Sequence, residues 1–273
     1  MPNIFTDKIN TPEMLLSKMD RQQHRANIFN RLMALGTMAG NDDIVVLDIS
    51  YWQDHTRIDY EELSKHIDGV ILRGTYSIWK DTRIDIHYEN FRKYGVPMGS
   101  YAYLVGNQSA KAQADTFYAA TIDKELNLGR WADIEDRRTG TALTRPIADG
   151  FMSACDSMFK QRTEIYTGVW AWLEIMKTGG HSHRKLWIAN YYVSEPAMPK
   201  GGDWTSWWLW QFTDRGRQPG YYGNLDTNRF NGTKVEYNKW AESETTEPST
   251  VEKQILDLQK RMTKVEKRLN IIN

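Results

Sequence analysis

The chain of 273 residues is 40% hydrophobic and 26% charged, enough for one large domain with an appendage. Its 35 basic and 35 acidic side chains cancel, so the basic excess of a nucleic-acid-binding chain is missing, and its single cysteine, Cys155, excludes an intramolecular disulfide and a cysteine-built metal cluster. There is no run of about 18 apolar residues and no basic segment followed by an apolar one at the N-terminus, so neither a membrane span nor a signal peptide is expected.

Thr11-Pro12-Glu13 combines a capping residue, a proline at the first helical position and an acid in the first turn, which starts a helix. Leu15, Met19, Gln22, Ala26, Phe29 and Met33 then recur at steps of three and four until Gly36 stops the run. The extension over residues 1–43 is therefore expected to carry an amphipathic helix at 11–35. It would pack against the next domain, close its bottom, or serve as a docking or oligomer contact.

From Ile44 short apolar runs alternate with helical periodicity, the pattern of parallel β/α architecture. Strands are predicted at 44–50, 69–76, 97–104, 129–135, 163–167, 185–191, 207–212 and 224–230, and helices at 60–66, 86–94, 109–126, 145–160 and 170–177. After residue 178 the connections carry turn residues instead. The fold class expected is α/β: an irregular (β/α) barrel of eight strands and about five helices over residues 44–240, hairpin-like in its second half.

Residues 241–250 read as a polar linker. Beyond it Val251, Ile255, Leu258, Met262, Val265, Leu269 and Ile272 alternate steps of four and three, a heptad seam that predicts a coiled-coil helix over 251–273. That seam is expected to make the chain a homo-oligomer. Ile255 with Leu258 favours a dimer and Leu269 with Ile272 favours three or four strands, so the order of assembly stays open.

Chemistry concentrates in Trp131-Ala132-Asp133-Ile134-Glu135-Asp136. On a strand, side chains two apart share a face with Cα atoms about 6–7 Å apart, so Asp133 and Glu135 point the same way. Two such carboxyls repel, and burial favours the neutral form of one while its partner ionises, which is acid-plus-base equipment. Alone, a D-x-E triplet reads more readily as the polar face of a solvated strand. The balance shifts because Asp48, near the end of the first predicted strand, and Asp226, in the last, add acids where the active groups of a barrel gather, at the C-terminal ends of its strands. Carboxylates are costly to bury without a use.

Other residues read more plainly. Cys155 falls inside the predicted helix 145–160 and is expected to be buried. His181-Ser182-His183 looks like a metal motif, but with no obvious third ligand in its Gly- and Arg-flanked loop it reads as an exposed turn. No metal and no other cofactor is expected. The 11 Trp and 14 Tyr suit sugar rings, yet most of them should fill the core.

Seven motifs occur in order: Asp48-Ile49-Ser50-Tyr51-Trp52-Gln53, Pro97-Met98-Gly99-Ser100-Tyr101-Ala102-Tyr103, Asp133-Ile134-Glu135, Ile165-Tyr166-Thr167-Gly168, Leu186-Trp187-Ile188-Ala189, Trp210-Gln211-Phe212 and Asp226-Thr227-Asn228-Arg229-Phe230. Together they resemble glycoside hydrolase family 25, the N-acetylmuramidases (lysozymes) common among phage endolysins, over 44–240. The resemblance implies hydrolysis of the β-1,4 bond between N-acetylmuramic acid and N-acetylglucosamine in bacterial peptidoglycan. It makes Glu135 the general acid and later the base that activates water. Asp133 would orient the substrate's 2-acetamido group as internal nucleophile, or attack directly, and strand spacing does not choose between these. Asp48 and Asp226 match the family's other two site acids, read as electrostatic and substrate-positioning groups. Arg73, Tyr101, Tyr103, Tyr166, Tyr191 and Trp210 lie on or beside strand ends, placed for ring stacking and, for Arg73, for a substrate carboxylate. Chitinases with an extended D-x-x-D-x-D-x-E run are disfavoured, because Leu128 and Trp131 stand where that run needs acids. Wall-binding repeats are not visible. The expected setting is then a phage endolysin, made in the bacterial host cytoplasm and acting on the wall. The alternatives are a virion-associated muramidase assembled through its terminal helices and a non-catalytic glycan-binding barrel.

Overall fold

The computed structural model describes residues 44–243. The predicted helix at 11–35, the 251–273 seam and most of the linker lie outside the described residues.

Nine strands form one sheet: β1 (Val45–Ile49), β2 (Gly69–Tyr76), β3 (Trp79–Lys80), β4 (Met98–Tyr103), β5 (Arg130–Ile134), β6 (Thr163–Gly168), β7 (Leu186–Ala189), β8 (Leu209–Gln218) and β9 (Tyr221–Phe230). Eight of them close into a barrel in the order β1-β9-β8-β7-β6-β5-β4-β2, with β2 pairing back onto β1. The two-residue β3 is an addition to the predicted set and hangs antiparallel on the end of β2. All barrel neighbours are parallel except β9, which runs against both β1 and β8. The hairpin-like second half expected from the turn residues is this β8–β9 pair. Its strands run further than predicted because Asp214–Gln218 and Tyr221–Asn224 continue the ladder through three register shifts. The tip at Gly220 (φ +90°) presses on the start of the first helix; a Cβ there would stand 2.4 Å from the Leu63 nitrogen, so only glycine fits.

Helices α1 (Tyr60–Lys65), α2 (Ile84–Lys93), α3 (Ala110–Thr121), α4 (Arg145–Phe159) and α5 (Ala171–Met176) surround the parallel strands. Their ends follow local chemistry. Asp59 and Ser109 accept the N–H groups of Glu62 and Ala112, Pro146 opens α4, and Lys160 closes it in the left-handed region at φ +53°. The prediction of a helix to residue 126 overshoots α3, which ends at Thr121. Beyond it Leu126 packs with the α1–α2 layer and Leu128 inside the barrel, so the two leucines serve different cores rather than one helical face.

A sixth helix, α6 (Lys234–Ser243), was not predicted. Thr233 and Glu236 cap it reciprocally, Thr233 N–H to the Glu236 carboxylate at 2.7 Å and Glu236 N–H to Thr233 Oγ1 at 3.3 Å. Tyr237, Trp240 and Ala241 recur at steps of three and one on its buried side, and they plug the bottom of the barrel against Ile44, Trp208 and Phe230. The helix thus runs three residues into the stretch expected as linker, and Ala241 is fully buried.

The strands separate three cores by side-chain parity. Outside the barrel, Ala102, Ala132, Ile134, Ile165 and Ile188 meet α3, α4 and α5, while Leu47, Ile49, Val70 and Leu72 meet α1 and α2. Inside it, Val46, Ile71, Trp131, Trp187, Leu209 and Phe230 fill the lower half. Each fully buried apolar side chain of this size contributes about 1.5–3 kcal/mol, so the barrel has a rigid base on which to hold polar groups above.

Candidate active site

Two residues along each strand, the same inward face changes character. Val46 gives way to Asp48, Ile71 to Arg73, Trp131 to Asp133, Leu209 to Gln211, and on the reversed β9 Phe230 gives way to Asn228 and then Asp226. Asp133 lies near the end of β5 and Glu135 just beyond it. Asp226 was expected at a C-terminal strand end. Because β9 is antiparallel it sits mid-strand instead, directly opposite Asp48 in the β1–β9 register. Reversal of the last strand brings the fourth acid to the same mouth.

Asp48 is held from two sides. Its Oδ2 accepts Gln211 Nε2 at 2.8 Å and Asn228 Nδ2 at 2.9 Å. Those amides are fixed in turn: Gln211 Oε1 accepts the hydroxyls of Tyr166 at 2.9 Å and Tyr191 at 2.5 Å, and Asn228 Oδ1 accepts Trp187 Nε1 at 2.6 Å. Asp133 is the opposite case. It is 3% exposed and its Oδ1 has no hydrogen-bond partner.

Burial raises every member of the quartet. Asp48 is pushed up to about 6 although Asn228 and Gln211 oppose the rise. Glu135 goes to about 7, with Arg137 opposing and Asp226 adding, and Asp226 to about 8, with Asp48 adding. Asp133 goes well above the usual carboxylate range, with Glu135 and Asp48 adding to its burial and Arg73 opposing. Burial therefore favours the neutral form of both Asp133 and Glu135, and not of one alone. In the free protein the two amide donors favour the ionised form of Asp48 against its burial.

Of the predicted sugar-contact residues, five lie in or beside this mouth. Arg73 is inward on β2, its Nε donating to Asp81 Oδ2 at 2.8 Å and its guanidinium 4.8 Å from the Tyr51 ring centroid. Tyr101 sets its ring edge-on to Trp187, Tyr103 stacks on Tyr76 at 5.0 Å, and Tyr166 and Tyr191 meet at Gln211. Trp210 does not belong with them. It alternates with the inward Gln211, packs in the outer core with Ile188 and Phe212, and donates Nε1 to Asn190 O at 2.8 Å. Sequence reasoning chose it over its neighbours Gln211 and, on β9, Asn228; strand parity with Asp226 and Leu209 was the signal for both. Asp81, 1% exposed at its side chain, was also missed, and nothing in a lone Asp after a short strand marks it.

The His181 prediction is corrected as well. His181 is buried, its Nε2 lies 2.7 Å from Asp149, and its ring meets Trp172 edge-on. Cys155, on α4, faces the outer core and is buried, and burial raises its thiol. Among the described residues no group of three His, Cys, Asp or Glu side chains is placed to hold a metal, and no helix is long and apolar enough to cross a membrane. Past Glu135 the mouth opens into a cleft of about 470 Å³, lined by Arg137, Trp170, Asn190, Tyr191 and Lys200 among others.

Residues 47–221 match the family model described as glycosyl hydrolases family 25. Lysozyme M1 of Streptomyces globisporus is 27% identical over 209 residues, 68% of this chain and 67% of that protein. The uncharacterized protein YegX of Escherichia coli (strain K12) is 27% identical over 199 residues, 70% of each. Among solved structures, a bacterial lysozyme from Streptomyces coelicolor aligns over 76% of this chain and all of its own, with a TM-score of 0.65 at 24% identity, a likeness of fold. The family match covers more than half of the sequence and takes in Asp48, Asp133 and Glu135, so the chain belongs to glycosyl hydrolases family 25, as a glycoside hydrolase of the lysozyme-like, muramidase kind.

Proposed function

We propose that the protein cleaves the β-1,4 bond between N-acetylmuramic acid and N-acetylglucosamine in bacterial peptidoglycan, with Glu135 as acid and then base. The observation that carries this reading is the contrast between two carboxyls on one strand end. Glu135 borders the open cleft and holds a proton up to about pH 7, while Asp133 is enclosed with a bare acceptor atom. A protonated Glu135 donates to the glycosidic oxygen as the bond breaks, and its carboxylate then takes a proton from the incoming water. Asp133 Oδ1 supplies the acceptor that the N–H of a 2-acetamido group needs, which turns the acetamido carbonyl oxygen toward C1. Positive charge that develops at C1 is offset by Asp48, fixed by Gln211 and Asn228, with Asp226 across the ladder.

Digestion of purified peptidoglycan with mass analysis of the new reducing ends tests this. Muramic acid ends are expected; glucosamine ends or cut peptides overturn it. As to setting, we read the protein as an endolysin that self-associates through residues 251–273, on the order of its motifs and the heptad spacing of its C-terminal segment. Sedimentation with phage particles would make it a virion component instead. Equal monomer masses for the full chain and a version ending at residue 243 would remove the seam as the means of association.

A further inference from the structure

The wall of the mouth is uneven. Inward positions at this height carry Arg73 on β2 and Tyr103 on β4, both bulky. On β6, Tyr166 pairs with Asp133, and two residues further, level with Glu135, stands Gly168, whose register partner on β7 is Ala189. Two adjacent small residues leave a notch beside the proposed acid. A Cβ added at Gly168 would meet nothing nearer than Ala171 at 3.8 Å, so glycine is not forced there by crowding.

The notch leads into the cleft of about 470 Å³, whose lining has one carboxyl, Glu135, against two cations, Arg137 and Lys200. Arg137 is propped by Glu174 of α5 at 3.0 Å. Lys200 forms no ion pair with a described carboxylate. Its Nζ sits 5.7 Å from the ring centroid of Trp170, which is 57% exposed, and its backbone N–H donates to Val169 O at 2.8 Å, tying the loop after β7 to the loop after β6. A neutral chitin-like chain has no use for two cations at the end of a notch. A glycan with an acidic side arm does, since the arm needs room beside the sugar ring, an apolar surface to lie on and counter-charge at its end.

We propose that the notch at Gly168 and Ala189 and the cleft beyond it hold the carboxylate-bearing side arm of the substrate, the lactyl group of a muramic unit with its acidic peptide, with Lys200 and Arg137 as counter-ions and Trp170 as platform. This rests on the peptidoglycan reading and adds to it the element that tells muramic from plain N-acetylglucosamine units. Lys200 and Arg137 are specificity-determining residues here.

The test uses binding, in the full chain carrying Glu135→Gln, so that it does not depend on turnover. The probes are the N-acetylglucosaminyl-N-acetylmuramic acid disaccharide with its peptide, and the same compound with its carboxyls converted to methylamides, followed by chemical-shift titration. The acid form is expected to bind about tenfold more tightly than the amide. Lys200→Ala and Arg137→Ala, each added to Glu135→Gln, should weaken the acid form about three- to tenfold and leave the amide unchanged. Lys111→Ala, at a lysine 79% exposed on α3 and absent from the cleft lining, should change neither. Equal affinity for acid and amide, or the same loss on both probes, overturns the proposal. If the wild type leaves no muramic acid ends on peptidoglycan while charge-selective binding persists, the cleavage reading falls and the binding site stands.

Discussion

The floor and the mouth of the barrel are built by the same strands, two residues apart, and they do opposite things. Below, Val46, Ile71, Trp131, Trp187, Leu209 and Phe230 close on the α6 side chains Tyr237 and Trp240, with ring contacts throughout and little polar chemistry. Above, Asp48, Asp133, Glu135 and Asp226 crowd into one space with Arg73 as the cation opposing Asp133. Carboxyls buried at that density cost stability, and the packed floor is what holds them in place. Stability and chemistry are thus separated by one step of the pleat. Substitutions on the two levels should therefore fail in different ways.

The largest effect is expected at the mouth. Glu135→Gln keeps the shape of the side chain and removes the carboxylic proton, so wall-lytic activity should drop by about 100- to 10,000-fold with an unchanged melting temperature or a slightly higher one. Turbidity clearing of cell walls, paired with a thermal melt, measures both. Activity within threefold of the wild type would break the assignment. The converse belongs to the floor. Trp131→Ala removes a fully buried indole, along with its Nε1 bond to Leu128 O at 2.8 Å, and should cost about 3–5 kcal/mol of stability. For a domain of this size that is a fall in melting temperature of roughly 6–20 °C. A shift under 2 °C would mean that the floor relaxes around the loss and is not a rigid base.

The division between floor and mouth also explains what was legible in the sequence. Alternation on the strands is a strong local signal, and seven of the eight barrel strands have both ends within three residues of their predicted places, Gly69–Tyr76 with both ends as predicted, while β8 runs six residues further. Asp133 and Glu135 were legible for the same reason, since a two-residue spacing fixes a face. What was lost depended on partners far away in the chain. Gln211 matters because Asp48, 163 residues earlier, accepts its N–H, and Trp210 was mistaken for a site residue because a tryptophan draws attention that parity should have overruled. Helix α6 escaped because Lys234–Ser243 shows weak apolar periodicity. Its buried side is defined by the barrel bottom it plugs, and by Tyr237 donating its hydroxyl to Asp68 O at 2.9 Å.

A subtler effect sits between the two levels. Gln211→Leu removes one of the two N–H donors to Asp48 and leaves the hydroxyls of Tyr166 and Tyr191 without their acceptor. The wild-type rate should follow a narrow bell: it falls below about pH 6 as Asp48 takes up a proton, and above about pH 7 as Glu135 loses its own. Loss of a donor raises the Asp48 value further, so in Gln211→Leu the acidic limb should move toward neutral pH while the basic limb stays. The peak rate should fall about tenfold. A pH–rate profile with both limbs displaced together, or neither, would show that the amide serves packing alone.

The smallest effect expected is a gain. Asp133 is buried without a donor for Oδ1, and burial holds its folded-state value well above that of an unfolded aspartate, about 3.9. The sign follows from proton counting. Below the unfolded value both states hold the proton and nothing is lost; as pH rises above it, the unfolded chain releases the proton while the folded one retains it, so stability declines until the folded value is passed. Asparagine does not titrate and keeps the shape. Asp133→Asn should therefore melt with the wild type near pH 4 and pull ahead as pH rises to 8, by on the order of 1 kcal/mol, or about 2–4 °C. The same variant should be nearly silent as an enzyme, because the N–H of a bound substrate draws Asp133 toward its carboxylate form and asparagine cannot ionise. A melting difference that is constant across pH 4–8, or that favours the wild type at pH 8, would mean that the mouth carries no strain at Asp133 and that the cost of its carboxyls has been misplaced.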